Sequence, residues 1–299
     1  MAKVSIGLPV YNGERYLAEA FDSVLGQSYG EFELIVSDNC STDQTEDICR
    51  DYVARDPRVV YHRARANRGP AWNFNHVARL ASGRLFKWVC HDDRWHPQML
   101  ERSMEVMDDA PPRVALCYPR TVFIDADGST METYQDRLDL REHAPPVRLA
   151  RLMANLGRCN AVFGLMRRDV LLETRLLGAY PHADRVLLAE IALRGELWEI
   201  PEELFFRRLH PAGSTFANTD AGQRRRFWDP ARRGEIFTLP KWRVAGEHLR
   251  AVQHAPLSSV ERRAAHRAVL RHYTRVDRNV LVNDIKSLIY RLAFSRRSG

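Results

Sequence analysis

The chain has 299 residues, of which 45% are hydrophobic and 28% charged, enough for a sizeable core in one or two domains and unlike a disordered or low-complexity sequence. Its net charge of +7 is carried in part by arginine clusters such as Arg207-Arg208, Arg224-Arg225-Arg226, Arg232-Arg233 and Arg262-Arg263. No nucleic-acid-binding motif accompanies them, so nucleic acid is not an expected partner.

No apolar stretch approaches the roughly 20 residues of a membrane span. Strand-forming residues begin at Val4, which leaves no room for a secretory signal. The five cysteines are scattered without a C-x-x-C pair and read as reduced thiols. The expected location is therefore cytoplasmic.

In chain order, the first half alternates strand and helix. Val4 to Leu8 is a strand, and Asn12 is placed as the N-cap of a helix carrying Leu17, Ala20, Phe21, Val24 and Leu25. Leu34 to Val36 is a second strand. Ser41 and Gln44 fit a capping box that opens a second helix. Val59 to Tyr61 is a third strand, and Pro70 sits at the first turn of a third helix. A fourth strand runs into Asp92-Asp93. Such alternation predicts an α/β fold with a mostly parallel sheet covered on both faces.

The second half is mixed. Val114 to Tyr118 and Val122 to Ile124 read as two short strands, and Asp125-Ala126-Asp127-Gly128 as a hairpin turn rather than a metal motif. A helix is expected around Asp184 to Leu193, and short strands at Trp198 to Ile200 and Leu204 to Phe206. Helical patterning returns near Ser258 and runs almost to the end. These patterns divide the chain into residues 1–215, with halves 1–120 and 121–215, and a basic, mostly helical extension over 216–299.

Acids at strand ends carry the chemical argument. In an open α/β sheet, ligands bind at the carboxyl ends of the strands, near the point where strand order reverses. Asp38 ends one apolar run, and Asp92-Asp93 end another. A carboxylate only accepts hydrogen bonds, so Asp38 suits the imide N–H of uracil or thymine, or the N–H of guanine. An adjacent acid pair suits a divalent ion whose other ligands are phosphate and water. Against these stand plainer roles, a loop acid for Asp38 and a capped turn for Asp92-Asp93.

Other candidates are open on the residues alone. Arg68 precedes a helix N-terminus, a favourable place for phosphate. Asp184 is either a first-turn helix acid or a general base. His210 is either a loop residue or a return to the metal site. Phosphate-loop, dinucleotide, H-E-x-x-H and G-x-S-x-G signatures are absent.

Taken in order, these segments resemble family 2 glycosyltransferases of the GT-A fold. Val4-Ser5-Ile6-Gly7-Leu8-Pro9-Val10-Tyr11-Asn12-Gly13-Glu14 resembles their opening strand and turn. Phe32 to Asp43 resembles the second signature, Asn67-Arg68-Gly69 with Asn73 the third, and His91-Asp92-Asp93 stands at the metal motif. The likeness is dense over about the first 120 residues and thin beyond. It implies inverting transfer of a sugar from a nucleoside diphosphate sugar, with UDP or dTDP favoured, to a carbohydrate or glycolipid acceptor. It further implies Pro9, Tyr11 and Glu14 lining the nucleotide pocket, Asp38 at the base, Arg68 at the diphosphate and Asp92 by the ribose. Asp93 would bind Mg²⁺ or Mn²⁺ with His210 facing it, and Asp184 would take the acceptor proton. The chain departs from the family at Ala183, where Glu is common, and in reading His-Asp-Asp rather than Asp-x-Asp.

Two rivals are a sugar nucleotidyltransferase and a non-catalytic nucleotide-binding module. The first needs a Gly-rich, Arg-bearing loop after the first strand, which Pro9-Val10-Tyr11-Asn12-Gly13 is not. In the extension, Val280, Leu281, Ile285, Leu288, Ile289 and Leu292 form an apolar face beside Lys286, Arg291 and Arg296-Arg297. That face is expected either to pack on the catalytic domain or to make peripheral contact with an anionic membrane.

Overall fold

The computed structural model describes residues 3–211, 213, 227–228 and 239–295, with side chains given no further than residue 288. The expected boundary near 215 and the arginines at 224–226, 232–233 and 296–297 lie outside the described residues. So do the side chains of Ile289, Arg291 and Leu292.

Alternating strands and helices build the first half: β1 (Val4–Val10), α1 (Leu17–Leu25), β2 (Phe32–Asp38), α2 (Thr45–Arg55), β3 (Val59–Arg63), α3 (Pro70–Leu80) and β4 (Leu85–Trp88). All seven residues of β1 are buried, as expected for a central strand covered on both faces. β1 pairs in parallel with β2 and β4, and β2 with β3. Val10 stands opposite Asp38 in this register. The carboxyl ends of β1 and β2 therefore open at one edge.

The remaining elements are β5 (Arg94–Trp95), α4 (Met99–Asp109), β6 (Val114–Ile124), β7 (Thr130–Tyr134), α5 (Pro145–Asn155), β8 (Leu165–Arg167), α6 (Arg168–Leu172), α7 (Ala183–Ala192) and β9 (Glu196–Arg208). A 3₁₀ turn at Asn160–Phe163 precedes β8. Among the described residues one sheet of nine strands runs β3-β2-β1-β4-β8-β6-β9-β5, with β7 hairpinned onto β6. β8 is antiparallel to both neighbours, whereas β6 and β9 are parallel. The sheet thus has a parallel first half and a mixed second half.

Three helices follow, α8 (Pro240–His254), α9 (Ser259–Arg275) and α10 (Arg278–Ser295). Arg175 pins α8 to α7 by reaching Glu190 Oε1 and Glu247 Oε2, each at 2.6 Å. Both acids are buried, so the guanidinium fork satisfies charges that would otherwise destabilise the interface.

Several local expectations are corrected. Helix α1 begins at Leu17 with Tyr16 as its N-cap, not Asn12. Asn12 instead has φ 51°, and its Oδ1 accepts from Thr42 N at 2.9 Å. Helix α2 starts at Thr45 without a side-chain cap, because Ser41 Oγ is taken by the backbone N–H of Asn12. Strand β4 stops at Trp88, and Asp92 and Asp93 follow in a turn. The two pairs of short strands in the second half are the single strands β6 and β9, joined across register shifts near Pro119 and Arg120. Asp125 Oδ1 accepts from Asp127 N and Ser129 N, and Gly128 has φ 86°, which makes that segment a turn.

Candidate active site

Strand ends and the turn after β4 bring the acids to one cavity of about 660 Å³. Asp92, Asp93, Asp184 and His210 all line it, although they lie far apart in the chain. Trp88, Phe74, Val162 and Phe163 supply apolar walls, and Arg207 and Lys241 add positive charge. A cavity of this size, mostly apolar with a few convergent polar groups, is the usual form of a small-ligand site.

The turn at Asp92-Asp93 is held from β9. The Arg208 backbone N–H donates to Asp93 Oδ1 at 3.0 Å, and Arg208 Nε donates to the Asp92 carbonyl at 3.0 Å. The same guanidinium reaches Glu19 Oε2 at 2.5 Å, the carbonyls of Asp125 and Ala126, and the face of the Tyr16 ring. One buried side chain therefore ties the acidic turn to α1 and to the β6–β7 hairpin.

His210 follows two residues later. Its Nε2 lies 3.0 Å from Asp92 Oδ2, its ring packs edge-on against Tyr16, and its buried Nδ1 has no partner among the described residues. Burial works against the charge on Asp92, but the His210 hydrogen bond and the nearby histidines outweigh it, so its pKa is lowered. Asp93 goes the other way, because burial and the adjacent Asp92 charge both push its pKa up. Arg207 and Arg208 only partly offset this.

Two carboxylates in one buried turn form a costly arrangement that a cation would relieve. Donor atoms of Cys90, Asp92 and Asp93 all lie within 4.8 Å of one another. This set fits a divalent ion, and His210 meets it through Nε2 at Asp92 Oδ2. Burial and the two acids raise the Cys90 thiol well above its ordinary pKa, so the carboxylates are the better ligands for a hard cation.

Asp184 stands in the first turn of α7, after His182 in a left-handed conformation at φ 66°. Its Oδ1 accepts from the Arg185 N–H at 2.9 Å. Burial raises its pKa, opposed in part by Arg185 and Arg207. A carboxylate of raised pKa at a cavity wall is equipped to accept a proton. Lys241 of α8 reaches across to His182, with Nζ 3.2 Å from Nε2, so the C-terminal helices contribute to this wall.

The other predicted residues gather in a second neighbourhood rather than on this cavity. Asp38 is fully buried at the end of β2, where it accepts from Ser41 N at 2.8 Å, Tyr61 OH at 2.8 Å and Arg63 Nε at 3.0 Å. A carboxylate offers about four lone-pair sites, so roughly one is left for a ligand N–H. Pro9 is buried next to the end of β1, while Tyr11 is exposed. Glu14 Oε2 accepts from Gln44 N at 3.0 Å, and the Arg68 guanidinium stacks on Trp72. Asn39 Oδ1 holds the Arg68 N–H at 2.9 Å. The two neighbourhoods adjoin, since Pro70 and Ala71 line the cavity directly after Arg68-Gly69.

Some residues that build the site are given no role by the sequence reasoning. Arg208 reads as one of many arginines, and nothing local marks it as an anchor. Asn73 is buried and donates to Val10 O and Ser37 O at 3.1 and 2.9 Å, which fixes α3 over the ends of β1 and β2. A polar residue on the apolar face of a predicted helix is the available signal.

A mixed sheet, an acidic turn after β4 and an acid on a later helix that meet at one cavity define an α/β protein with a candidate small-ligand site. Residues 5–173, more than half of the chain, match the profile of "Glycosyl transferase family 2". The chain belongs to that family and has a GT-A-like fold. It is 36% identical over 104 residues to TuaG of Bacillus subtilis, a glycosyltransferase assigned to teichuronic acid biosynthesis, covering 35% of this chain and 41% of TuaG. It is 32% identical over 130 residues to an uncharacterized glycosyltransferase of Rickettsia felis, covering 43% of this chain and 21% of the relative. The matched stretch thus spans well under half of these relatives. In structure it is similar to S. aureus TarS 1-349 in complex with UDP, with a TM-score of 0.66, 18% identity, and 93% of this chain and 73% of that chain covered. It is also similar to the mannosyltransferase PcManGT of Pyrobaculum calidifontis in complex with GDP-Man and Mn²⁺, with a TM-score of 0.56, 15% identity, and 100% and 76% covered.

Proposed function

We propose that the protein is an inverting glycosyltransferase that moves a sugar from a UDP- or dTDP-linked donor to an acceptor hydroxyl in cell-surface glycan or glycolipid synthesis. The observation that carries this reading is that Asp184 shares one cavity with the Asp92–Asp93 turn and His210. The likeness to TuaG supports the class of product. The likeness to TarS with UDP supports the donor class.

Asp184 would take the proton of the acceptor hydroxyl as its oxygen attacks the anomeric carbon. The bond from that carbon to the diphosphate oxygen breaks in the same displacement, on the opposite face, so configuration inverts. Asp92 and Asp93 are committed to the cation turn, which leaves Asp184 as the acid suited to act as base. Mg²⁺ or Mn²⁺, when held by Asp92, Asp93 and His210, would neutralise the diphosphate as its charge develops. Arg207 and Lys241 add fixed positive charge to the same cavity. The nucleoside would lie over Pro9, Tyr11, Glu14 and Asp38, with Arg68 and the α3 N-terminus towards the diphosphate and Asp92 towards the ribose.

Five unpaired cysteines suit a reducing compartment and support a cytoplasmic location. The test is release of nucleoside diphosphate from UDP-, dTDP- and GDP-sugars with Mn²⁺, together with thermal shifts for each free diphosphate. Metal-dependent release with one base class supports the reading. Consumption of a nucleoside triphosphate with release of pyrophosphate would replace it with nucleotidyl transfer, and no nucleotide binding at all would end it.

A further inference from the structure

Helix α9 carries two faces of opposite character. Ala265 and Val269 are buried, in a helix that packs on α5 and α8. About half a turn of the helical wheel away stand Arg263, Arg267 and Arg271, spaced four residues apart and exposed. Val260 and Leu270 lie on the same stripe at 68% and 53% exposure. Arg275, Val276 and Arg278, all exposed, carry this character into the link to α10.

The stripe contains no acid. Glu261 is the single carboxylate of α9, and it closes a capping box with Ser258. Among the described residues, Arg263, Arg267, Arg271, Arg275 and Arg278 have no ion pair. The contrast with Arg262 is direct: its guanidinium donates to the carbonyls of Val252, Ala255 and Leu257 and so terminates α8. Among the described residues the outer arginines make no such internal contact. On α10, Val282 and Ile285 are also exposed, next to Lys286.

We propose that the outer stripe of α9, continued through Arg278, docks the protein on an anionic bilayer surface. Basic side chains interleaved with exposed aliphatic ones are the composition of an interfacial helix, in which the charges meet lipid headgroups and the aliphatic groups enter the acyl boundary. A single-stranded nucleic-acid surface would instead pair the arginines with exposed aromatic stacking groups, and this stripe has none. No helix among the described residues is long and apolar enough to cross a membrane, so the contact is peripheral. The proposal concerns a face distinct from the cavity and stands apart from the reaction assigned above.

The experiment is co-sedimentation of the full chain with phosphatidylcholine vesicles, with and without phosphatidylglycerol. Binding is expected only to the anionic vesicles. The triple variant Arg263→Gln/Arg267→Gln/Arg271→Gln should weaken it by roughly a hundredfold, taking the usual contribution of each surface charge. Val260→Ser/Leu270→Ser should weaken it further at raised salt, where the charges are screened. Unchanged melting temperatures would show that these surface variants fold. The proposal is overturned if the wild type ignores anionic vesicles, if the triple variant binds them as well as the wild type, or if a DNA duplex is bound more tightly than the vesicles.

Discussion

His210 and Asp92 are 118 residues apart in the chain, yet Nε2 of the one lies 3.0 Å from Oδ2 of the other. The contact exists because β9 delivers Arg208 and His210 to the turn that follows β4. It sets an imidazole against one of the three residues whose donor atoms lie close enough together to hold a cation.

This relationship predicts distinct defects. His210→Ala should weaken Mn²⁺-dependent binding of the nucleoside diphosphate by roughly 10–100-fold. Asp92→Asn should cost more, because it removes the charge itself. Calorimetric titration of the diphosphate with and without Mn²⁺ is the check. Equal affinities for the wild type and both variants would remove these residues from the cation site.

Asp184→Asn should lower kcat by roughly 10²–10⁴-fold while leaving donor binding unchanged. The pH profile carries the same information. Burial raises the Asp184 pKa, and the working base is the ionised form, so activity should fall on the acid side at a pH above the ordinary carboxylate range. A rate that stays flat down to that ordinary range would argue against Asp184 as the base.

Lys87 is fully buried in β4, donates to the Phe163 carbonyl and sits over the Trp95 ring. Burial lowers its pKa from 10.5 to about 7. Below that value both folded and unfolded chains carry the proton, and the penalty for burying the charge is fully present. As pH rises towards 10.5 the folded chain is neutral while the unfolded chain is still charged, so the penalty fades. The contribution of Lys87 to stability should therefore rise with pH at up to about 1.4 kcal/mol per pH unit in this window. Lys87→Met should abolish that slope. Urea unfolding of both proteins at several pH values isolates the difference, and parallel curves would refute the burial argument.

Arg208→Leu should destabilise the fold by about 3 kcal/mol, since it strands the carbonyls of Asp92, Asp125 and Ala126 and breaks the tie to Glu19, while the backbone bond to Asp93 remains. Arg208→Lys should recover little of this, because one ammonium cannot span acceptors that the guanidinium fork reaches at once. The urea midpoint at constant m-value reads the effect. A surface-like change of a few tenths of a kcal/mol would show that the anchor is dispensable.

How far each element was legible depended on how locally its signal was written. Strands β1 and β2 and helix α3 were clear because uninterrupted apolar runs, and Pro70 at a helix start, report burial and backbone geometry directly. Strands β6 and β9 looked broken because Pro119-Arg120 and Pro201-Glu202-Glu203 interrupt the pattern. In the fold a register shift absorbs these residues while pairing continues on either side. Helix α8 falls in the extension expected to be helical but was not delimited there, because Glu247 and His248 occupy buried positions where an apolar residue would have shown the period. Arg175 reaches Glu247 and the Tyr273 hydroxyl reaches His248 Nδ1, and neither partner is near in sequence.

The sequence by itself determined the family, the α/β alternation and the acids at the strand ends, because these are properties of short segments under steric and hydrophobic constraint. The tertiary structure decided which acids meet. It put Asp92, Asp93, His210 and Asp184 on one cavity, left Asp38 bound by Tyr61 and Arg63, and made Arg208 the tie from the acidic turn to α1 and the β6–β7 hairpin. Such contacts depend on sheet order and on the balance of burial against pairing for each charge. Both are set by the whole fold, and no window of the chain contains them.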